Sequence, residues 1–161
     1  MVRTAPTRAL ALFACCLFSS LVVAATDSDN FHQALDAARN DDWETLSRQQ
    51  QALGDQHPLQ AYLDFHRLRA ALPQLSPEKV TQYAEKYPDS PLPQDIRQLA
   101  TVAYGKAEKW QALLAITDSA PNGVALRCYY HQAQWETGDQ AVKKAALQAG
   151  KELWDTGQSR P

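Results

Sequence analysis

Apolar residues return along this chain at helical spacing. Phe31, Ala34, Leu35 and Ala38 fall at i, i+3, i+4 and i+7, one face of a helix, with Ser28 or Asp29 available as its N-cap. A strand would alternate apolar and polar positions instead. Ile96, Leu99, Ala100, Ala103, Tyr104 and Ala107 form one stripe three turns long, and Val142, Ala145, Ala146, Ala149 and Leu153 repeat it further on. Pro58, Pro77 and Pro93 fit first helical turns, where a missing N–H leaves no bond unmade, and Ser76 is placed to cap the helix that Pro77 opens. Gly54, Gly138 and Gly157 fit helix ends. These signals predict eight helices, over 29–39, 43–53, 58–71, 77–86, 93–106, 109–117, 123–137 and 140–155.

Taken in pairs, the helices have a period. The second member of each pair begins near Trp43, Pro77, Trp110 and Gln140, at steps of 34, 33 and 30 residues, close to the roughly 34-residue repeat of tetratricopeptide-like hairpins. Three junctions look alike, each a short small or polar turn: Ala38 to Trp43, Ala107 to Trp110, and Thr137 to Ala141. The predicted class is therefore all-α, an α-superhelical solenoid of helical hairpins. Each hairpin exposes an apolar face that a neighbouring hairpin covers. Only Thr156 to Pro161 follow the stripe of the eighth helix, so the expectation is an array cut off before its cap.

The first 25 residues stand apart. They carry Arg3 and Arg8, no acid, an apolar run from Ala9 to Val23 and small residues at Ala24 and Ala25, the pattern of a secretory signal peptide. That run is shorter than the roughly 20 residues a membrane span needs, and Phe13 is too bulky for the lipoprotein box that Leu12, Ala14 and Cys15 faintly suggest. The expected layout is a signal peptide over 1–25 and one helical domain over 26–161. The exported remainder keeps 14 Lys and Arg against 18 Asp and Glu, a net charge of −4. An acidic chain lacks the basic face that displaces counterions from nucleic acid. Cys15 and Cys16 leave with the leader, which makes Cys128 a single thiol in an oxidising compartment.

Chemistry is sparse. His32, His57, His66 and His131 lie far apart, and Cys128 with His131 at i and i+3 supplies two ligands where zinc wants at least three; a packed cysteine beside a surface histidine is the favoured reading. There is no phosphate loop, nucleophile elbow or Walker motif. Glu44, Glu78, Glu85, Glu108, Glu136 and Glu152 fall in terminal turns or on polar faces, whereas a glycosidase acid needs an apolar pocket to raise its pKa. No catalytic, cofactor or metal residue is assigned, and no cofactor is expected. Trp43, Trp110, Trp135 and Trp154 could serve as platforms for sugar rings. Core packing is favoured instead, because Trp43 and Trp110 sit where the second helix of a hairpin meets the first. Lys143 and Lys144 point away from the eighth stripe, toward solvent.

Five ordered blocks carry a resemblance: His57 to Phe65 (HPLQAYLDF), Tyr87 to Pro93 (YPDSPLP), Lys109 to Ala115 (KWQALLA), Cys128 to Gly138 (CYYHQAQWETG) and Lys151 to Pro161 (KELWDTGQSRP). From about Phe31 onward the chain resembles the amino-terminal part of the soluble lytic murein transglycosylases. The resemblance implies a periplasmic enzyme built from a superhelical U-shaped domain, a linker domain and a lysozyme-like catalytic domain. There a Glu protonates the bridge between N-acetylmuramic acid and N-acetylglucosamine, and a 1,6-anhydro ring closes. The family's catalytic Glu precedes a Ser, and no Glu in this chain does, so nothing catalytic carries over. The resemblance also implies a disulfide partner for Cys128 outside this chain.

The expected function is a non-catalytic scaffold fragment of such an enzyme, truncated before the linker and inactive alone. The alternative is a free-standing periplasmic solenoid that binds glycan or a protein partner. Expected partners are peptidoglycan glycan strands through the parent enzyme, with no nucleic acid, no membrane after leader cleavage and no oligomer.

Overall fold

A computed structural model describes residues 27–158. The leader reading for 1–25, with Cys15 and Cys16, lies outside them. The described residues form eight helices and no strand: α1 over 27–39, α2 Trp43–Leu53, α3 Gln60–Ala70, α4 Pro77–Lys86, α5 Leu92–Lys106, α6 Trp110–Ala115, α7 Val124–Thr137 and α8 Gln140–Gln158. The all-α class is as predicted, and the second helices of the four pairs start at Trp43, Pro77, Trp110 and Gln140. The chain divides into two compact units, Met1–Leu63 and Asp64–Pro161.

In the first unit, Ala34, Ala37, Ala38, Leu46 and Leu63 form a buried cluster, with Phe31, Leu35, Trp43 and Leu53 packed on its margin. The alanines let α1 and α2 approach closely, and Trp43 covers the wedge between them as its position suggests. Ser28 and Asp29 do not cap α1, for both already lie inside the helix. Asp27 and Asp29 place negative charge on the first described turn of α1. α2 is capped by Asp42, whose Oδ1 accepts the Thr45 N–H at 3.0 Å. Gly54 ends α2 at φ 77°, a left-handed conformation that glycine takes without a Cβ penalty. α3 starts two residues later than predicted. Pro58 sits in the preceding turn, where the Leu59 N–H donates to His57 Nδ1 at 3.2 Å.

In the second unit, α4 packs on α5, α5 on α6 and α7, α6 on α7, and α7 on α8. Contact mainly between near neighbours in sequence is how a repeat array assembles. Pro77 opens α4 as predicted, but the Ser76 hydroxyl makes no cap bond to the helix; it bonds the Glu78 carboxylate and helps hold it below the usual acid range, after Glu78's own backbone N–H.

The α5 stripe is rotated from the predicted one. Leu92, Ile96, Ala100, Thr101, Tyr104 and Gly105 are buried, whereas Leu99 is 39% exposed and Ala107 is exposed. The buried positions follow an i+4 ridge, the row that fits between ridges of a neighbouring helix. Gly105 is required on that row, since a Cβ there would lie 2.3 Å from Tyr129 Cδ1 on α7. Tyr104, fully buried, donates its hydroxyl to the Leu75 carbonyl at 2.6 Å, and Lys109 Nζ donates to the Pro73 carbonyl at 3.1 Å. These two bonds hold the 71–76 connection against the turn between α5 and α6. On α8 only part of the predicted stripe is covered: Ala146 and Leu153 are buried, Ala149 is half-buried, and Val142 and Ala145 are exposed. α8 also runs past Gly157 to Gln158.

Candidate functional site

A concavity in the second unit lies between α7 and α8, which meet at a tight turn. Gly138 has no room for a Cβ there, because the atom would fall 2.4 Å from Val142 and 2.6 Å from the Gln134 carbonyl. Asp139 then caps α8 through the Val142 N–H at 2.9 Å. The antiparallel pair encloses a groove of about 570 Å³, with Trp135 on one wall and Trp154 on the other.

These two indoles are not core residues: Trp135 is 43% and Trp154 68% exposed. The expectation of core packing therefore describes Trp43 and Trp110, which are half-buried, and not Trp135 or Trp154. A signal for this exists in the sequence. Leu153 faces the core, so Trp154 is turned about 100° away from it. Lys143 also departs from expectation: it is half-buried, with Nζ 6.0 Å from the Trp135 ring centroid, at the limit of a cation–π contact.

Cys128, exposed, and His131, half-buried one turn on, both line the groove wall. Gln134 donates Nε2–H to the Tyr130 hydroxyl at 3.2 Å, which turns its Oε1 toward His131 Nδ1 at 3.1 Å. The other ring nitrogen, Nε2, is buried and without a hydrogen-bond partner. Among the described residues no group of three or more His, Cys, Asp or Glu is placed to hold a metal ion. The six glutamates singled out above are all exposed, so none occupies the apolar pocket that would raise its pKa toward general-acid use.

A second polar cluster joins α3 to the end of α4. Asp64 Oδ2 accepts from Lys86 Nζ at 2.9 Å and from the Tyr87 hydroxyl at 2.6 Å, and the Lys86 ammonium lies 4.9 Å from the Tyr87 ring centroid. Hydrogen bonds to Tyr87 and Asp64 push the Lys86 pKa up; burial, then the bond to Asp64, pushes the Tyr87 hydroxyl up. Partners 22 and 23 residues apart leave no local pattern in the sequence. The cluster fastens two helices and neutralises its own charge.

No helix among the described residues is long and apolar enough to cross a membrane. No family model matches the chain. The soluble lytic murein transglycosylase of Salmonella typhimurium is 28% identical over 151 residues, 91% of this chain and 23% of its own length. Its Escherichia coli K12 counterpart is 28% identical over 158 residues, 96% of this chain and 24% of its own. The crystal structure of the 70 kDa soluble lytic transglycosylase of E. coli matches at a TM-score of 0.72 and 26% identity, over 85% of this chain and 22% of that one. The chain is thus similar to the soluble lytic murein transglycosylases. The likeness supports the amino-terminal region of that family and a helical fold shared with the solved transglycosylase. The chain spans about a quarter of the length of the curated relatives it matches.

Proposed function

We propose that this chain is a helical scaffold segment of a periplasmic peptidoglycan lytic transglycosylase. Residues 1–25 direct export, and 26–161 belong to the superhelical U-shaped domain. The parent activity is cleavage between N-acetylmuramic acid and N-acetylglucosamine with closure of a 1,6-anhydro ring, carried out by groups outside these 161 residues. The observation that carries the reading is the match itself: over nine-tenths of this chain aligns with under a quarter of a murein-cleaving enzyme. The exposure of the candidate glutamates supports a non-catalytic role. Cys128, exposed on α7, is free to pair with a cysteine supplied from elsewhere in the parent.

The purified chain incubated with sacculi should release no anhydro-muropeptides above a buffer control, and release at a steady rate would overturn the scaffold reading. Reading the gene past the Pro161 codon is the companion test. An Asn or Asp followed within a few codons by Cys, in any frame, supports a parent enzyme, and unrelated sequence counts against one.

A further inference from the structure

On the side of α7 away from the groove, α5 and the connection from α6 to α7 wall a pocket of about 260 Å³. At about 100° a residue, Leu126 in its wall faces roughly opposite to Cys128, His131 and Trp135 around α7, so a segment laid on the α7–α8 groove leaves this pocket open. α5 gives it Gln94, Arg97, Gln98 and Thr101, at i, i+3, i+4 and i+7 on one helical face. Asn122 adds an amide from the connection, and Ile116, buried, and Leu126, half-buried, add apolar surface. No acid lines the pocket, and among the described residues none pairs with the exposed Arg97 guanidinium. The side-chain amides of Gln94, Gln98 and Asn122 likewise bond no other described group.

We propose that this pocket binds the carboxylate end of a peptide chain whose last residue is apolar. A guanidinium offers two parallel N–H bonds that match a planar carboxylate, and here no lining acid competes for them. The three amides supply both the donors and the acceptors that the last peptide group needs. Ile116 and Leu126 give the last side chain an apolar surface. The pocket is smaller than the roughly 300–1,000 Å³ of sites that enclose a whole small molecule, which suits one end of a longer chain. Capture of a terminal carboxylate is a recurrent mode of peptide recognition.

Other occupants fit less well. A phosphate group carries nearly two charges at neutral pH and would meet one cation, with Asp95 and Asp118 next in sequence to lining residues. A sugar ring would find no flat face to stack on, since no aromatic residue lines the pocket. An amphipathic helix docks on a run of apolar positions, whereas the α5 face here reads Gln, Arg, Gln, Thr.

The test follows the NMR signals of the isotope-labelled, purified chain during titration with an N-acetylated pentapeptide ending in L-leucine, and with the same peptide as its carboxyl-terminal amide. The free acid should shift the Arg97 Nε–H and the Gln98 and Asn122 side-chain amides. The amidated peptide should bind about tenfold or more weakly, the scale of one charge-assisted hydrogen-bonded contact. Arg97→Gln should remove that discrimination and Arg97→Lys should restore part of it, while Arg48→Gln, in the other unit, should bind as the parent chain does. The backbone signals of each variant check that it stays folded. A peptide ending in glycine should bind several-fold more weakly than the leucine form, because the surface of Ile116 and Leu126 stays uncovered. Equal affinity for the acid and amide forms, or an Arg97→Gln chain that still tells them apart, would overturn the proposal. So would a parent chain that responds to neither peptide. Inorganic phosphate that displaces the peptide at a lower concentration than acetate does would assign the pocket to a different anion and refute the peptide end. The scaffold reading stands apart from each of these outcomes and answers to its own product assay.

Discussion

Gly105→Ala tests whether α5 and α7 pack in the described register. The added Cβ would lie 2.3, 2.5 and 2.9 Å from Tyr129 Cδ1, Cγ and Cε1, an overlap of about 1 Å on an ordinary carbon contact of roughly 3.5–4 Å. Cγ moves only through χ1, so the ring clears the added Cβ only by changing its χ1 rotamer or by a shift of α7. Overpacking of this kind costs about 1–3 kcal/mol, while alanine at this helical position in the last turn of α5 recovers about 1 kcal/mol over glycine. The expected net is a loss of up to about 2 kcal/mol, read in urea denaturation as a lower midpoint at unchanged slope. A second background sharpens the test. With Tyr129→Ala the obstacle is gone, and Gly105→Ala should reverse sign and stabilise by about 1 kcal/mol. If Gly105→Ala stabilises the parent chain, or shifts the midpoint equally in both backgrounds, the described contact is wrong.

Other expectations follow from the same structure. Burial, with the Glu78 charge, raises the Tyr104 pKa, so the folded state keeps this proton after the unfolded chain begins to lose it near pH 10. The stability it contributes is present below that pH and falls as pH rises. Tyr104→Phe should flatten this alkaline loss and cost about 1–2 kcal/mol at neutral pH by leaving the Leu75 carbonyl without its donor; an unchanged alkaline slope would count against the assignment. The Thr45 N–H bond holds Asp42 below the usual carboxylate range, so its contribution is present above the unfolded pKa and lost as pH falls. Asp42→Asn should keep the cap and reduce the acid sensitivity of α2, and equal acid midpoints would reject this. In a Cys15→Ser, Cys16→Ser background, Cys128 should react with Ellman's reagent as fast in buffer as in urea, since its thiol is exposed; slow native reaction would show a covered thiol. Amide exchange should be slower from Ile96 to Tyr104, enclosed by α4, α6 and α7, than from Ala141 to Trp154, which packs on α7. Equal protection would contradict this ordering.

Helix existence and order were written in the sequence because both depend on local chemistry. The 3.6-residue spacing of apolar positions, proline at helix starts and glycine at ends act within a few residues, and the starts of α2, α4, α6 and α8 came out at the expected positions. Periodicity alone placed the buried face of α5 less well. Leu99 lies on the arithmetic stripe but outside the core, whereas Thr101 and Gly105 lie inside it. What a helix buries is set by the ridge that meets its neighbour, and Tyr129 on α7 is not legible from residues 92–106.

The same division separates the two kinds of tryptophan. The sequence marked four indoles and the hairpin junctions that cover Trp43 and Trp110. Only the crossing of α7 and α8 put Trp135 and Trp154 on the walls of one groove, with Cys128 and His131 between them. The Asp64, Lys86 and Tyr87 cluster depended on tertiary structure for the same reason. By itself the sequence determined the helices, their period and the absence of a recognisable catalytic motif, all consequences of short-range chemistry. Which faces are covered and which side chains converge was decided by tertiary structure, because burial belongs to pairs of elements and not to either one alone.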